Sequence, residues 1–143
     1  MPPIAWMLVI FAASTDLGSA EHTSRFLVPF LRWLVPDLSY ASIATVQFFV
    51  RKAGHVSEYA ILGALLWRAL SGRSTRPHWH YALLALLVAG GYAALDEFHQ
   101  AFVQSRTGNP RDALIDLSGA ALGLSLWWLV SRWRQPRAVA APV

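Results

Sequence analysis

Long, almost uninterrupted apolar segments recur down this chain, and titratable side chains gather near one end of each. Ala53 to Leu70, Tyr81 to Val103 and the stretch from Asn109 to about Val130 are each long enough to cross the hydrocarbon core of a bilayer as a helix, which takes about 20 residues. A weaker candidate precedes them: Pro3 to Ala13 is apolar, with a polar tail through Ser14, Thr15, Asp16 and Ser19. Its small residues Gly18 and Ala20 have the spacing of a signal-peptide cleavage site, so a cleaved leader competes with a first span, although no Lys or Arg precedes the apolar run. Only 14% of the 143 residues are charged and 55% are hydrophobic, whereas a soluble domain carries about a quarter charged residues. The balance points to lipid.

Between the first two apolar runs, Thr23 to Pro36 mixes Phe26, Leu27, Phe30, Leu31 and Leu34 with Arg25 and Arg32 and is broken by Pro29, the pattern of a short interfacial segment. Ser39 or Ser42 supplies an N-cap for a helix that continues through Ile43 to Leu70. Ser71 to His80 reads as a loop, and Asn109 followed by Pro110 reads as a cap and first helical residue. The expected fold is all-α: a polytopic membrane helix bundle of about four transmembrane helices plus the interfacial segment. It forms a single domain over 1–143 with its core at 11–130.

Charge sets the topology. The loop after the second span and the tail after the fourth carry Arg68, Arg73, Arg76, Arg132, Arg134 and Arg137 and no acid, which marks them as cytoplasmic. Asp16, Glu21, Asp37, Glu58, Asp96, Glu97, Asp112 and Asp116 all fall towards the opposite face. Trp67, Trp79, Tyr81, Trp127, Trp128 and Trp133 collect at the cytoplasmic boundary as an aromatic belt. Both termini are therefore expected in the cytoplasm, in a multi-pass protein whose first partner is the lipid bilayer. The net charge of +4 follows from this segregation rather than from a nucleic-acid surface, so no nucleic acid is expected. Without cysteine there is no disulfide, thiolate chemistry or Cys-based metal site.

Three helix faces carry the candidate chemistry. Lys52, His55 and Tyr59 share one face of the second span, with Glu58 on its flank; Asp96, His99 and Gln100 share a face of the third, with Glu97 turned aside. Asp112, Asp116, Gly119 and Gly123 form a stripe on the fourth. An ionisable group in hydrocarbon costs roughly 2.5 to 3.5 kcal/mol, so these faces are expected to meet, with the small glycine surface permitting close approach.

The runs Arg51-Lys52-Ala53-Gly54-His55-Val56-Ser57-Glu58-Tyr59-Ala60-Ile61-Leu62-Gly63, Asp96-Glu97-Phe98-His99-Gln100 and Arg106-Thr107-Gly108-Asn109-Pro110-Arg111-Asp112, followed by Asp116 and Gly119, closely resemble the pattern of the VanZ-like family. The resemblance extends over roughly Phe11 to Val130, with no departure at these positions. It implies a bacterial inner-membrane protein with a role in the cell envelope; the founding member of the family is linked to resistance to the glycopeptide teicoplanin.

Several readings of the polar residues compete. In the plainest, His55, Glu58, Asp96, His99, Arg106, Arg111, Asp112 and Asp116 form an internal network that pins the helices together, making the protein a membrane scaffold. In a binding reading, Lys52, Arg106 and Arg111 beside the helix start at Asn109 hold an anionic head group of a lipid-linked or cell-wall component. A catalytic reading uses His55 or His99 as general base oriented by a carboxylate, with Glu58 and Asp96 as the candidates, but no nucleophile accompanies them except Ser57, off the His55 face. A metal variant takes His55, Glu58, Asp96 and His99 as ligands; lacking a paired His-x-x-x-His spacing, it is set aside, and neither metal nor cofactor is expected.

Overall fold

A computed structural model of the chain describes residues 2–15, 20–72, 79–103 and 108–133, with the side chains of 20–22 excepted; Arg73, Arg76, Arg106, Arg134 and Arg137 lie outside them. Five helices follow in order: α1 (Pro2–Ser14), α2 (Ala20–Leu34), α3 (Tyr40–Ser71), α4 (Trp79–Gln100) and α5 (Pro110–Trp133). The described residues contain no strand, in keeping with the all-α expectation.

The helix ends obey local chemistry. Ser39 caps α3 by accepting the Ser42 N–H at 3.2 Å, and Gly72 ends it at a φ of 57°, a backbone conformation that suits glycine. Asn109 caps α5, its side-chain oxygen accepting the Arg111 N–H at 3.1 Å, and Pro110 takes the first helical position.

Helices α3 and α5 form the central pair and run in the same direction, since Lys52 meets Asp112, His55 meets Asp116 and Val56 meets Gly119. Their seam is made of small residues. A Cβ on Gly119 would stand 2.6 Å from the Val56 carbonyl oxygen, and one on Gly123 would overlap the Ala60 carbonyl, so the two backbones touch because these positions carry no side chain. α4 runs antiparallel to both, pairing Tyr92 with Tyr59 and bringing Asp96 to His55 and Asp116. α1 runs alongside α4, docked by three hydrogen bonds: the Trp6 indole donates to the Glu58 carbonyl at 2.8 Å, the Tyr92 hydroxyl to the Met7 carbonyl at 2.6 Å, and the Ser14 hydroxyl to Asp96 at 2.7 Å.

The segment expected along the interface is helical through Pro29 and folds back on the first half of α3, with the Gln47 amide donating to the Ser24 hydroxyl at 2.7 Å and Arg32 over the Tyr40 ring. This α2–α3 hairpin leaves Phe26, Phe30 and Trp33 exposed.

The interior mixes an apolar core of Ile10, Tyr59, Leu62 and Trp67 with small and polar side chains, while the outside is largely apolar. Ala85, Ala89, Ala93 and Ala120 are fully buried beside Asp96, Glu97, Gln100 and Asp116, whereas Leu87, Leu95, Leu114 and Leu126 are each at least 60% exposed. The expectation of about four spans is nevertheless coarser in the structure: of the described helices, α4 and α5 alone are long and apolar enough to cross a membrane. The 13 residues of α1 reach about 20 Å, short of a hydrocarbon core of about 30 Å. α3 is long enough, but Arg51, Lys52, His55, Glu58 and Arg68 dilute its apolar character.

Candidate functional site

One end of the bundle gathers the polar groups and the other the aromatic ones. At the aromatic end, Trp67, Trp79 and Trp128 line a shallow groove of about 310 Å³ with Ala82, Leu124 and Ser125, and Arg132 lies over the Trp128 ring at 4.7 Å. The polar end is built from the last turns of α1 and α4 and the matching turns of α3 and α5.

At its centre His55, Asp96 and Asp116 converge, each offering a donor atom within 4.8 Å of the others. They come from three helices because the α3–α5 seam sets His55 opposite Asp116 and the antiparallel α4 delivers Asp96 from the far side. The His55 Nδ1 lies 3.4 Å from an Asp116 oxygen, near enough to pair electrostatically but not aligned as a hydrogen bond. Both Asp116 oxygens are buried without a hydrogen-bond partner among the described residues. Asp96 is half satisfied: one oxygen accepts from Ser14 at 2.7 Å and Gln100 at 3.1 Å, while the other is buried and bare. Tyr59, one turn beyond His55, is wholly buried and its hydroxyl also lacks a partner. Buried polar atoms are almost always paired, so this concentration of unpaired ones is the site's distinguishing feature.

Around the centre, Lys52 forms an ion pair with Asp112 at 2.5 Å, which uses the cation nearest to hand. Glu97 is not turned aside as its helix position suggested. It is buried, and its carboxylate accepts the Asn109 N–H at 2.8 Å, fastening the start of α5 to the end of α4. Gly108 makes that junction possible, since a Cβ there would lie 2.5 Å from the Glu97 carbonyl oxygen. His99 stands apart from the central three: it packs on the Phe11 ring at 4.7 Å, and its Nδ1 is buried without a hydrogen-bond partner among the described residues. Glu58 stays half-buried on the flank. Arg111 is exposed. Ser57 donates to the Ala53 carbonyl on an exposed face, away from any base.

The sequence reading therefore named the residues of this centre but grouped them differently. Its anionic-ligand set loses coherence, because Lys52 is neutralised, Arg111 points outward and Arg106 is outside the described residues. Its metal variant chose Glu58 and His99 where the structure brings Asp116. Ser14 was passed over as part of a polar tail; its place on the turn that ends an apolar run was the signal. Chemically, two carboxylates and an imidazole within 4.8 Å of one another are groups that can hold a cation or exchange a proton.

No curated protein and no solved structure matches the chain. A family model does, over residues 2–131, which runs from the start of α1 to the last turn of α5 and contains every residue of the centre. The chain belongs to the VanZ/LLP1 family.

Proposed function

We propose that this protein is a multi-pass inner-membrane protein whose His55–Asp96–Asp116 centre recognises the polar head of a cell-envelope amphiphile, a lipid-linked or cell-wall component. The observation that carries the reading is the set of buried, unpartnered polar atoms at one end of the bundle. A network that served only to pin helices would be expected to satisfy its own members, whereas a ligand site leaves bonding capacity for what it binds. The membrane reading draws support from the apolar exterior, from α4 and α5, and from the alternating directions of α1, α3, α4 and α5, which suit a bundle in which all four helices cross. Arg68 and Arg132, described at the aromatic end, favour that end and both termini on the cytoplasmic side, leaving the centre towards the outer face.

The scaffold reading keeps one observation of its own: the Lys52–Asp112 and Glu97–Asn109 contacts tie helices to one another. The two readings separate when wild type, His55→Ala and Asp116→Asn are purified from bacterial membranes in mild detergent and their retained lipids are extracted and weighed by mass spectrometry. A lipid-linked envelope species lost from both variants at unchanged protein abundance is the expected result. Equal retention in all three proteins, or a fall in abundance that accounts for the loss, overturns the proposal in favour of the scaffold.

A further inference from the structure

We infer that the His55–Asp96–Asp116 centre is a binding site for a divalent transition-metal cation, of the kind that takes mixed nitrogen and oxygen ligands, such as Zn²⁺ or Mn²⁺. The inference rests on reading this centre as a ligand site and narrows what that ligand includes. Three considerations lead to it.

The first is charge. Asp96 and Asp116 are 3% and 1% exposed and converge with His55 of α3, a basic group, while the buried Tyr59 of the same helix brings no positive charge. Lys52, the next cation along α3, is engaged by Asp112. Two carboxylates drawn together with a single imidazole leave a deficit of positive charge that an ion of charge +2 removes.

The second is bonding capacity. Both oxygens of Asp116, one oxygen of Asp96 and Nδ1 of His55 are buried and lack hydrogen-bond partners among the described residues. These are ligand atoms of the types such ions use. One Asp96 oxygen is held by Ser14 and Gln100, which fixes the carboxylate in place and leaves its other oxygen without a partner among the described residues.

The third is geometry. Ligands held about 2.1 Å from one ion stand at most about 4.2 Å apart. Neighbouring ligands on a tetrahedral ion stand about 3.4 Å apart. His55 Nδ1 and an Asp116 oxygen already have that spacing, and all three donor atoms lie within 4.8 Å of one another, so side-chain rotations of about 1 Å bring the set to coordination distance. One nitrogen and two carboxylates suit Zn²⁺ and Mn²⁺ better than Mg²⁺ or Ca²⁺, whose sites are built from oxygen. Three protein ligands also leave a coordination position open. An ion there would let a carboxylate-rich pocket accept the phosphate or carboxylate of an amphiphile that bare Asp side chains repel.

The test uses the full chain, purified in detergent, stripped with chelator and dialysed against micromolar Zn²⁺ or Mn²⁺, with metal per chain measured by mass spectrometry. Wild type is expected to retain about one ion per chain, and Asp116→Asn and His55→Gln to bind at least about a hundredfold more weakly. Ser57→Ala, on an exposed face away from the centre, binds as wild type does. Helical circular dichroism and a single gel-filtration peak establish that each protein is folded; if Asp116→Asn misfolds, His55→Gln carries the comparison. A folded wild type that takes up neither ion overturns the inference, as does uptake that both variants share. Assaying lipid retention on the chelator-stripped protein separates the two proposals. Lipid held without any ion uptake sinks the metal site alone, whereas ion uptake with no lipid in any preparation sinks the amphiphile reading alone.

Discussion

Helix α5 and helix α1 are attached to the rest of the bundle by opposite means. α5 lies on α3 through the absence of side chains: Gly63, Gly119 and Gly123 let backbone meet backbone, and the contact is dispersion and close fit. α1 is held through polar side chains as well as through Ile10 in the core, with Trp6, Ser14 and Tyr92 each making one directed hydrogen bond across the interface. A seam of the first kind fails all at once, because a single added methyl group forces whole helices apart. A seam of the second kind fails bond by bond. The polar centre depends on both, since the glycine seam sets the His55–Asp116 spacing and Ser14 on α1 orients Asp96.

The largest effect is expected at the glycine seam. In Gly123→Val the new side chain occupies the space of the Ala60 carbonyl, a rigid backbone atom that cannot rotate away. α3 and α5 must separate, at a cost of about 3 kcal/mol or more, which is at the upper end of overpacking effects. Unfolding of the purified protein in mixed micelles with increasing SDS should show that loss. Gly91→Ala, where a Cβ meets nothing within 4 Å, should show none and is the control for helix propensity. Equal behaviour of the two variants would mean that close backbone contact does not hold α5 on α3.

That seam was legible in the sequence, and so was much else that depends on local pattern. The spacing of Asp112, Asp116, Gly119 and Gly123 marks a single face, Asn109 and Pro110 mark a helix start that the structure has, and of the two caps Ser39 or Ser42 the structure uses Ser39. What periodicity gives is the face a residue shares with its neighbours on the same helix. It does not give the rotation of one helix against another, and here that rotation decided the partners. Asp116 therefore replaces Glu58 and His99 beside His55, and Glu97, one residue off the Asp96 face, is buried by the Gly108–Asn109 junction folding over it. The dock of α1 is hidden for a related reason: two of its three bonds run from single side chains to backbone carbonyls, which carry no sequence signature.

Those hydrogen bonds give the intermediate effect. Tyr92→Phe removes the bond to the Met7 carbonyl, and Ser14→Ala removes one of two donors to Asp96; each is expected to cost about 1 kcal/mol in the same SDS titration. The informative variant is the double. With only the Trp6 bond left, α1 should loosen, and because the chain has no cysteine, a Met7→Cys background provides a unique reporter. Its thiol should react with a water-soluble maleimide faster in the double variant than in either single one. Unchanged reactivity would mean that apolar packing, and not these bonds, holds α1.

The smallest effect is expected at the Lys52–Asp112 pair, and its size reports on the surroundings of the polar end. Both side chains retain some exposure, 15% and 21%, so in contact with water the pair is screened and contributes less than about 1 kcal/mol. Asp112 also keeps a favourable place in the first turn of α5 when Lys52 is gone. Lys52→Met should therefore lower stability slightly, and the gap to wild type should narrow at about 1 M salt, where screening acts over about 3 Å. A gap above about 3 kcal/mol that ignores salt is the signature of a charge left unpaired in a dry environment. That outcome would put Asp112 inside the hydrocarbon rather than at its edge, and the His55–Asp96–Asp116 centre, one turn further into the bundle, would then lie too deep for the head group of an amphiphile to reach.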